Sequence, residues 1–368
     1  MKNIAVLTQN YPPSKGGMAV SCQRIVKNLR KNGNIVHVLH FQNRNENYEV
    51  KTELNGNYTS LAVHDSEEFT LSLANLFLES NLTVFNFDTV VAFGGYLPLL
   101  WAPIVSKFYN KPLYTCIRGN DFDEFLFSKR RQILFYALEN SNYTLSVSLD
   151  KAIKIKKLFP NVNSEYTPNG INIENWTISN SQIEKVQSYR ESADVGKTII
   201  LIAGQLKPKK GINQFLESFS YFYHKTNYEV WLVGDVSETT QEILFQLPFV
   251  VKCFPYSNKE ELKFLYHASD IICIPSFYEG MPNVLLEAAA CKKLVIASKI
   301  AGITDIIENK VSGILYNPLN KLELIDAFIT YENLKSTNSI STLQETLYQK
   351  ISNFYSEEDE IRNYLKFI

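Results

Sequence analysis

Short hydrophobic runs, most of them closed by a turn-forming residue, alternate along this chain with stretches of helical period. Residues 4–7, 35–41, 90–93, 112–117 and 143–148 read as strands in the first half. Residues 198–203, 228–233, 250–254, 271–274 and 294–298 read as strands in the second. Between them, 18–31, 97–109, 133–138, 151–159 and 260–268 place apolar residues at helical spacing, and 322–331, 342–354 and 357–368 do so after Pro318. Strands alternating with helices predict α/β architecture with parallel sheets, and runs that are apolar throughout predict strands covered on both faces. Residues 42–70 are polar, rich in asparagine and weakly patterned, so they are expected to be connections and marginal elements. Residues 173–196 carry no strand pattern and many polar residues, which puts a domain boundary there and gives domains of 1–172 and 173–354.

The most informative stretch is Pro275-Ser276-Phe277-Tyr278-Glu279-Gly280-Met281-Pro282-Asn283-Val284-Leu285-Leu286-Glu287-Ala288. It follows the apolar run 271–274, turns at Pro275-Ser276 and enters a helix with Pro282 as its expected first residue, where a missing N–H costs nothing. Backbone N–H groups at Gly280, Met281, Asn283 and Val284 would face an anion at that helix start. Glu279 lies in the loop ahead of the helix, and Glu287 rides about one and a half turns into it. A pair of glutamates alone is a weak signal; the whole string is not. In doubly wound sheets ligands sit beyond the carboxyl ends of strands. Five loops fall at such ends: Gly16-Gly17, Gly94-Gly95, 118–121, 204–211 and 279–283. The Gly-x-Gly-x-x-Gly dinucleotide fingerprint is absent from the first turn, which disfavours a nicotinamide enzyme.

Length and composition narrow the reading. At 368 residues the chain has room for two cores. A net charge of −1 gives no general pull toward nucleic acid or an anionic surface. The five cysteines are odd in number and form no C-x-x-C pair, and four lie in apolar patterns, so reduced core thiols in a cytosolic protein are expected. The histidines are scattered, without metal-ligand spacing. The first residues are too short an apolar run for a signal peptide, and no apolar run approaches the roughly 20 residues of a membrane span. One stretch, 151–159, mixes four lysines with Ile153, Ile155, Leu158 and Phe159. It reads either as a helix with one solvated face or as a basic amphipathic segment lying on an anionic membrane.

The string from Pro275 to Ala288, with Leu294-Val295-Ile296-Ala297-Ser298, Ala301-Gly302-Ile303-Thr304-Asp305 and Ser312-Gly313 after it, resembles the donor-site signature of the retaining glycosyltransferases of family 4 (glycosyl transferases group 1). The resemblance implies the GT-B fold: two doubly wound, Rossmann-like domains facing across a cleft, the first binding acceptor and the second a nucleotide diphosphate sugar, with a terminal helix (355–368) returning to the first. It implies transfer of a sugar to an acceptor hydroxyl with retained configuration, in polysaccharide, glycolipid or glycoconjugate synthesis, by a cytoplasmic enzyme that uses neither metal nor cofactor. The donor would be UDP- or GDP-linked; the acceptor would be a saccharide or lipid-linked, with peripheral contact to the inner membrane face as one arrangement. No nucleic-acid partner follows, and oligomeric state stays open.

By position, Lys210 matches the lysine that neutralises the donor diphosphate, with Lys209 beside it. Glu279 would hold sugar hydroxyls and Glu287 the ribose, while Gly16 and Gly17 leave room near the phosphates. Gly204 opens the matching loop, and Tyr256 falls where the family lays residues against the base. Four positions depart from the pattern. Gln205 stands for an arginine, Arg118 for the histidine of a His-Gly-x-Asp motif whose acid is Asp121, Asn172 for an aspartate and Val236 for a glycine. Arg118 reads equally as a sugar contact or as half of a strand-end salt bridge with Asp121 or Asp123, and Tyr256 as a base-stacking or a core residue. Two other readings remain at this point: a nucleotide-sugar epimerase on a similar fold, and a binding or scaffold protein that kept the fold without catalysis.

Overall fold

Alternation of buried strand and covering helix runs through both halves of the computed structural model, which describes residues 1–42 and 48–368. The chain divides into two units, Met1–Asn169 with Glu357–Ile368, and Gly170–Ser356.

In chain order the first unit holds β1 (Asn3–Thr8), α1 (Gly17–Lys31), β2 (Ile35–Gln42), β3 (Glu49–Glu53), β4 (Gly56–Ala62), α2 (Glu67–Ser80), α3 (Leu82–Phe85), β5 (Thr89–Phe93), α4 (Tyr96–Phe108), β6 (Leu113–Ile117), α5 (Asn120–Asp123), α6 (Arg131–Glu139), β7 (Tyr143–Ser146), α7 (Leu149–Leu158) and β8 (Ser164–Tyr166). Its sheet has the order β3-β4-β2-β1-β5-β6-β7-β8. All neighbours pair parallel except β3 and β4. Strands β1, β5 and β6 are buried almost throughout because a helical layer covers each face. One core unites them with α2, α4, α6 and α7 through Ala74, Trp101, Leu134 and Ile155. The other unites them with α1 through Cys22, Ile25 and Leu29.

The stretch expected to be connections, 42–70, is structured where it is described: β4 extends the sheet beside β2, β3 folds back on it, and α2 follows. The reversal passes through Leu54 and Asn55, with Asn55 at φ 59°, a left-handed conformation that asparagine tolerates better than most residues. Residues 43–47 of that stretch lie outside the described residues.

The second unit holds α8 (Ile183–Ser192), β9 (Thr198–Ala203), α9 (Ile212–Ser220), β10 (Tyr228–Val233), α10 (Glu238–Leu244), β11 (Val250–Phe254), α11 (Lys259–Ala268), β12 (Ile271–Ile274), α12 (Asn283–Ala290), β13 (Leu294–Ser298), β14 (Ile314–Tyr316), α13 (Lys321–Ser336) and α14 (Ile340–Phe354). Its sheet is fully parallel, in the order β11-β10-β9-β12-β13-β14. Chain order runs outward in one direction from β9 and in the other from β12. The sheet therefore has a topological switch point between β9 and β12, where the crossing helices part and leave a crevice.

The last helix, α15 (Glu357–Leu365), belongs to the first unit. Ile361, Tyr364 and Ile368 join the core under α1, and burying such side chains is worth about 1.5–3 kcal/mol each. A two-pronged ion pair fixes its register: Arg24 donates from Nε to Glu360 Oε2 (2.6 Å) and from Nη2 to Oε1 (2.8 Å), with the Glu360 side chain 1% exposed. Removing one partner of a buried pair strands the other charge, so Arg24→Ala is expected to cost about 3–5 kcal/mol in urea unfolding. The double change Arg24→Met/Glu360→Leu should cost clearly less than the single one; equal losses would mean that the pair adds nothing beyond packing.

Candidate functional site

At the switch point of the second sheet, the loops that leave β9 and β12 interlock. Gly211 has φ 65°, a left-handed conformation, and a Cβ placed there would lie 2.2 Å from the carbonyl oxygen of Pro275. The absent side chain lets the β9 loop press against the β12 loop, and Phe277 N donates to Lys209 O (2.9 Å) across the junction. Gly302, at φ 79°, lets the loop after β13 approach in the same way: its Cβ would lie 1.6 Å from Gly280 O. Backbone geometry thus sets the spacing between Lys210, which closes a 3-10 turn over Pro208–Lys210, and Glu279.

Across that junction Lys210 Nζ donates to Glu279 Oε1 (2.5 Å), and Ser276 Oγ donates to the same oxygen (2.8 Å). Glu279 and Ser276 are both buried. Burial alone would raise the Glu279 carboxyl, but the charges of Lys210 and Lys209 and the bonds from Lys210 and Ser276 hold it below the usual glutamate value. The site is therefore a fixed anion–cation pair. A small hollow beside it is lined by Ala203, Leu206, Lys210, Ser276 and Val284. The helix α12 opens there with Pro282 as its N-cap and Asn283 as its first helical residue, one position later than the sequence suggested. Gly280 and Met281 are buried in the approach to it, and Asn283 and Val284 form its first turn. Further along α12, Glu287 accepts a hydrogen bond from the buried Tyr266 hydroxyl (3.0 Å). Lys209 stands over the Tyr278 ring, 5.5 Å from its centroid.

Gly204, Gln205, Lys209, Lys210, Glu279 to Val284 and Glu287 are thus gathered by one unit around the carboxyl ends of β9 and β12. Tyr256 follows β11 at the edge of the same sheet and is exposed, which corrects the reading of it as a core residue.

The other candidates lie on the first sheet. Gly16 precedes α1 with φ 115°, and Gly17 is its first residue, in the loop after β1. The Gly94-Gly95 turn after β5 is filled by the chain itself: a Cβ on Gly95 would meet Gln9 Oε1 at 2.8 Å, and one on Gly94 would meet Asp121 Oδ2 and Arg118 Cγ at 3.3 Å. Those glycines make room for neighbouring side chains. Arg118 is buried, and its guanidinium donates to Tyr364 OH of α15 (3.0 Å) and to Asn169 Oδ1, 4.9 Å from the Phe93 ring centroid. The expected salt bridge takes another form, because Asp123 pairs with Lys151 (2.9 Å). Lys151 is correspondingly buried, although its lysine-rich helix was expected to turn one charged face to solvent. Asp121 caps the turn after β6, accepting from Arg118 N (2.9 Å) and Gly119 N (2.7 Å). Burial pushes its carboxyl up to about 6, against those bonds and the charges of Arg118 and Lys151.

Two expectations follow. Gly211→Ala should separate the β9 and β12 loops, costing about 2 kcal/mol or more in urea unfolding through the left-handed backbone and the clash; an unchanged midpoint would contradict the interlock. At Asp121, the folded protein keeps a proton that the unfolded chain has lost between roughly pH 4 and 6, so this group's contribution to stability falls as pH rises through that window. Asp121→Asn cannot ionise and should gain about 2–3 kcal/mol on wild type across it, measured as the difference in urea unfolding at the two ends.

Residues 185–345 match the family model for glycosyl transferases group 1. The chain is 27% identical over 338 residues to an uncharacterized glycosyltransferase of Methanocaldococcus jannaschii, covering 86% of this chain and 85% of that one. Among solved structures, sucrose-phosphate synthase from Thermosynechococcus elongatus superposes with a TM-score of 0.85 at 15% identity, covering 100% of this chain and 98% of the other. Anabaena HepE, in complex with UDP-glucose, superposes with a TM-score of 0.79 at 18% identity, covering 100% and 99%. At such identity these structures speak for the fold, which is GT-B, with two Rossmann-like α/β units. The family match in the second unit and the relative along most of the chain make it similar to the glycosyltransferases of group 1.

Proposed function

We propose that this chain is a retaining, metal-independent glycosyltransferase of family 4, which moves a sugar from a nucleotide diphosphate sugar to an acceptor hydroxyl in the synthesis of a polysaccharide, glycolipid or glycoconjugate. The observation that carries the proposal is the pairing of half-buried Lys210 with buried Glu279 beside the start of α12, at the switch point of the second sheet. A cation and a helix start converge where a diphosphate would sit, and a carboxylate held ionised stands where sugar hydroxyls would need an acceptor. Glu287, fixed by Tyr266, lies further along the same helix, at the reach of a ribose.

In the reaction the bond between the anomeric carbon and the phosphate oxygen breaks, and a bond from that carbon to the acceptor oxygen forms. The acceptor proton leaves with the departing phosphate. Lys210, Lys209 and the start of α12 stabilise the negative charge that builds on the diphosphate, in the role a metal ion plays elsewhere. Gln205 offers a neutral amide where the family pattern has an arginine, so more of that task falls on Lys210. Retention rests on the family resemblance. A UDP-sugar is the first donor to try, since the HepE structure holds UDP-glucose.

Donor binding is read by thermal shift with UDP-, GDP- and ADP-sugars, and turnover by release of the nucleoside diphosphate. Lys210→Ala should lower turnover by about 10²–10³, the usual loss for one donor aimed at developing charge. Glu279→Gln should weaken sugar discrimination and turnover while the free nucleoside diphosphate still binds. If a sugar nucleotide raises Tm yet neither wild type nor variant releases nucleotide with any acceptor, the protein binds without transferring and the proposal fails.

A further inference from the structure

We propose that Tyr266 is a positioning residue for the donor ribose: braced by Trp176, it holds the Glu287 carboxylate in the orientation that accepts the ribose hydroxyls. This rests on the reading of Glu287 as the ribose contact, and neither Tyr266 nor Trp176 stands in the stretch that suggested that reading. Glu287 is half-buried on α12, and its Oε2 accepts from the Tyr266 hydroxyl (3.0 Å). Tyr266 lies near the end of α11 and is fully buried. Burial, then the charge of Glu287 and the bond to it, raises the phenol well above its ordinary value, so it stays protonated and donates. A phenylalanine would fill the same space without the cost of taking a hydroxyl out of water. What the hydroxyl adds is a fixed donor to Glu287.

The position of Tyr266 is itself held from behind. The Trp176 and Tyr266 rings meet edge-to-face with centroids 5.6 Å apart, and Trp176 is 1% exposed. Trp176 ends the 3-10 turn Ile173–Trp176, which is capped by Asn172 Oδ1 accepting from Glu174 N (2.9 Å). Its carbonyl oxygen accepts from His267 Nε2 (2.8 Å), next to Tyr266 on α11, and from Cys291 Sγ (3.7 Å), just past the end of α12. Lys293 Nζ then donates to His267 O (2.8 Å) and Ser269 O (2.9 Å), which fastens the segment after α12 to the end of α11. The two helices that carry Tyr266 and Glu287 are thus tied together at these ends, with Trp176 wedged against both. A glutamate side chain has several free torsions, and freezing them is part of what binding costs. A donor already on Oε2 removes much of that cost before the ribose arrives.

The test compares UDP, GDP and ADP with their 2′,3′-dideoxy forms by titration calorimetry on the full chain. A hydrogen bond to a charged group is worth about tenfold or more in affinity, so a carboxylate that takes both hydroxyls should favour the ribose form about 10²-fold. Tyr266→Phe and Trp176→Leu should each cut that preference to about tenfold while leaving affinity for the dideoxy form unchanged. A defect of folding alone would weaken both forms alike, and far-UV circular dichroism confirms that the variants fold. Glu287→Ala should abolish the preference, and adding Tyr266→Phe to it should change nothing further, because the two act through one carboxylate. If folded Tyr266→Phe or folded Trp176→Leu keeps the wild-type preference, the positioning role is overturned and the ribose contact stands. If wild type binds both forms equally, Glu287 does not meet the ribose and the inference falls, while a diphosphate site at Lys210 stands. If wild type binds none of the nucleotides, the donor-site reading fails and the inference fails with it.

Discussion

A half-buried lysine paired with a buried glutamate at the switch point of the second sheet sets the terms for the candidate site. Desolvating two charges is costly, and the arrangement is tolerable only because Lys210 reaches Glu279 directly and Ser276 supplies a second donor to the same oxygen. That geometry rests on backbone. Gly211 nests against the Pro275 carbonyl and Gly302 against the Gly280 carbonyl, so the loops from three successive strand ends lock together without side chains between them. In the proposed reaction a phosphate beside α12 would share Lys210 with Glu279, which would tie charge neutralisation on the leaving group to recognition of the sugar.

The first unit applies the same economy to structure. Arg118, Asn169 and Tyr364 form one buried polar network, and Arg24 with Glu360 forms a second connection, so helix α15 is bound to that sheet through charged and hydrogen-bonded anchors as well as through Ile361 and Ile368. Asp121 shapes the turn on which Arg118 stands. Its burial leaves it easier to protonate than an exposed aspartate, a local cost that the backbone bonds and nearby charges offset only in part. The outer layer is asymmetric in charge, acidic at α2 and basic at α7 and at the Lys129–Arg131 run where α6 begins. The chain's near-zero net charge conceals that division.

Strands such as Thr198–Ala203, Tyr228–Val233 and Ile271–Ile274 were legible residue by residue, because a run that is apolar on both faces fits little other than a central parallel strand. Helix α12 was legible from Pro282 and the leucines and alanines after it, with its start displaced by one residue. The β3–β4 hairpin was not: its strands are short and polar at the sheet margin, and the one local signal, Asn55-Gly56, lies inside an asparagine-rich stretch. The lysines of 151–159 look alike in sequence, yet Lys151 is the one whose helical position faces the sheet and Asp123.

Sequence alone determined the alternation of strand and helix, the two sheets it builds, and the loops that fall at carboxyl strand ends, since these follow from short-range periodicity and turn chemistry. Tertiary structure decided which charges meet. Lys210 and Glu279 are 69 residues apart, and Arg118 and Tyr364 are 246 apart. Arg118 turned from the acids beside it in sequence to an amide and a phenol, and Gly94 and Gly95 opened space for Gln9 and Asp121. A side chain's partner depends on what the fold leaves within a few ångströms, and no local pattern of apolar and polar residues encodes that distance.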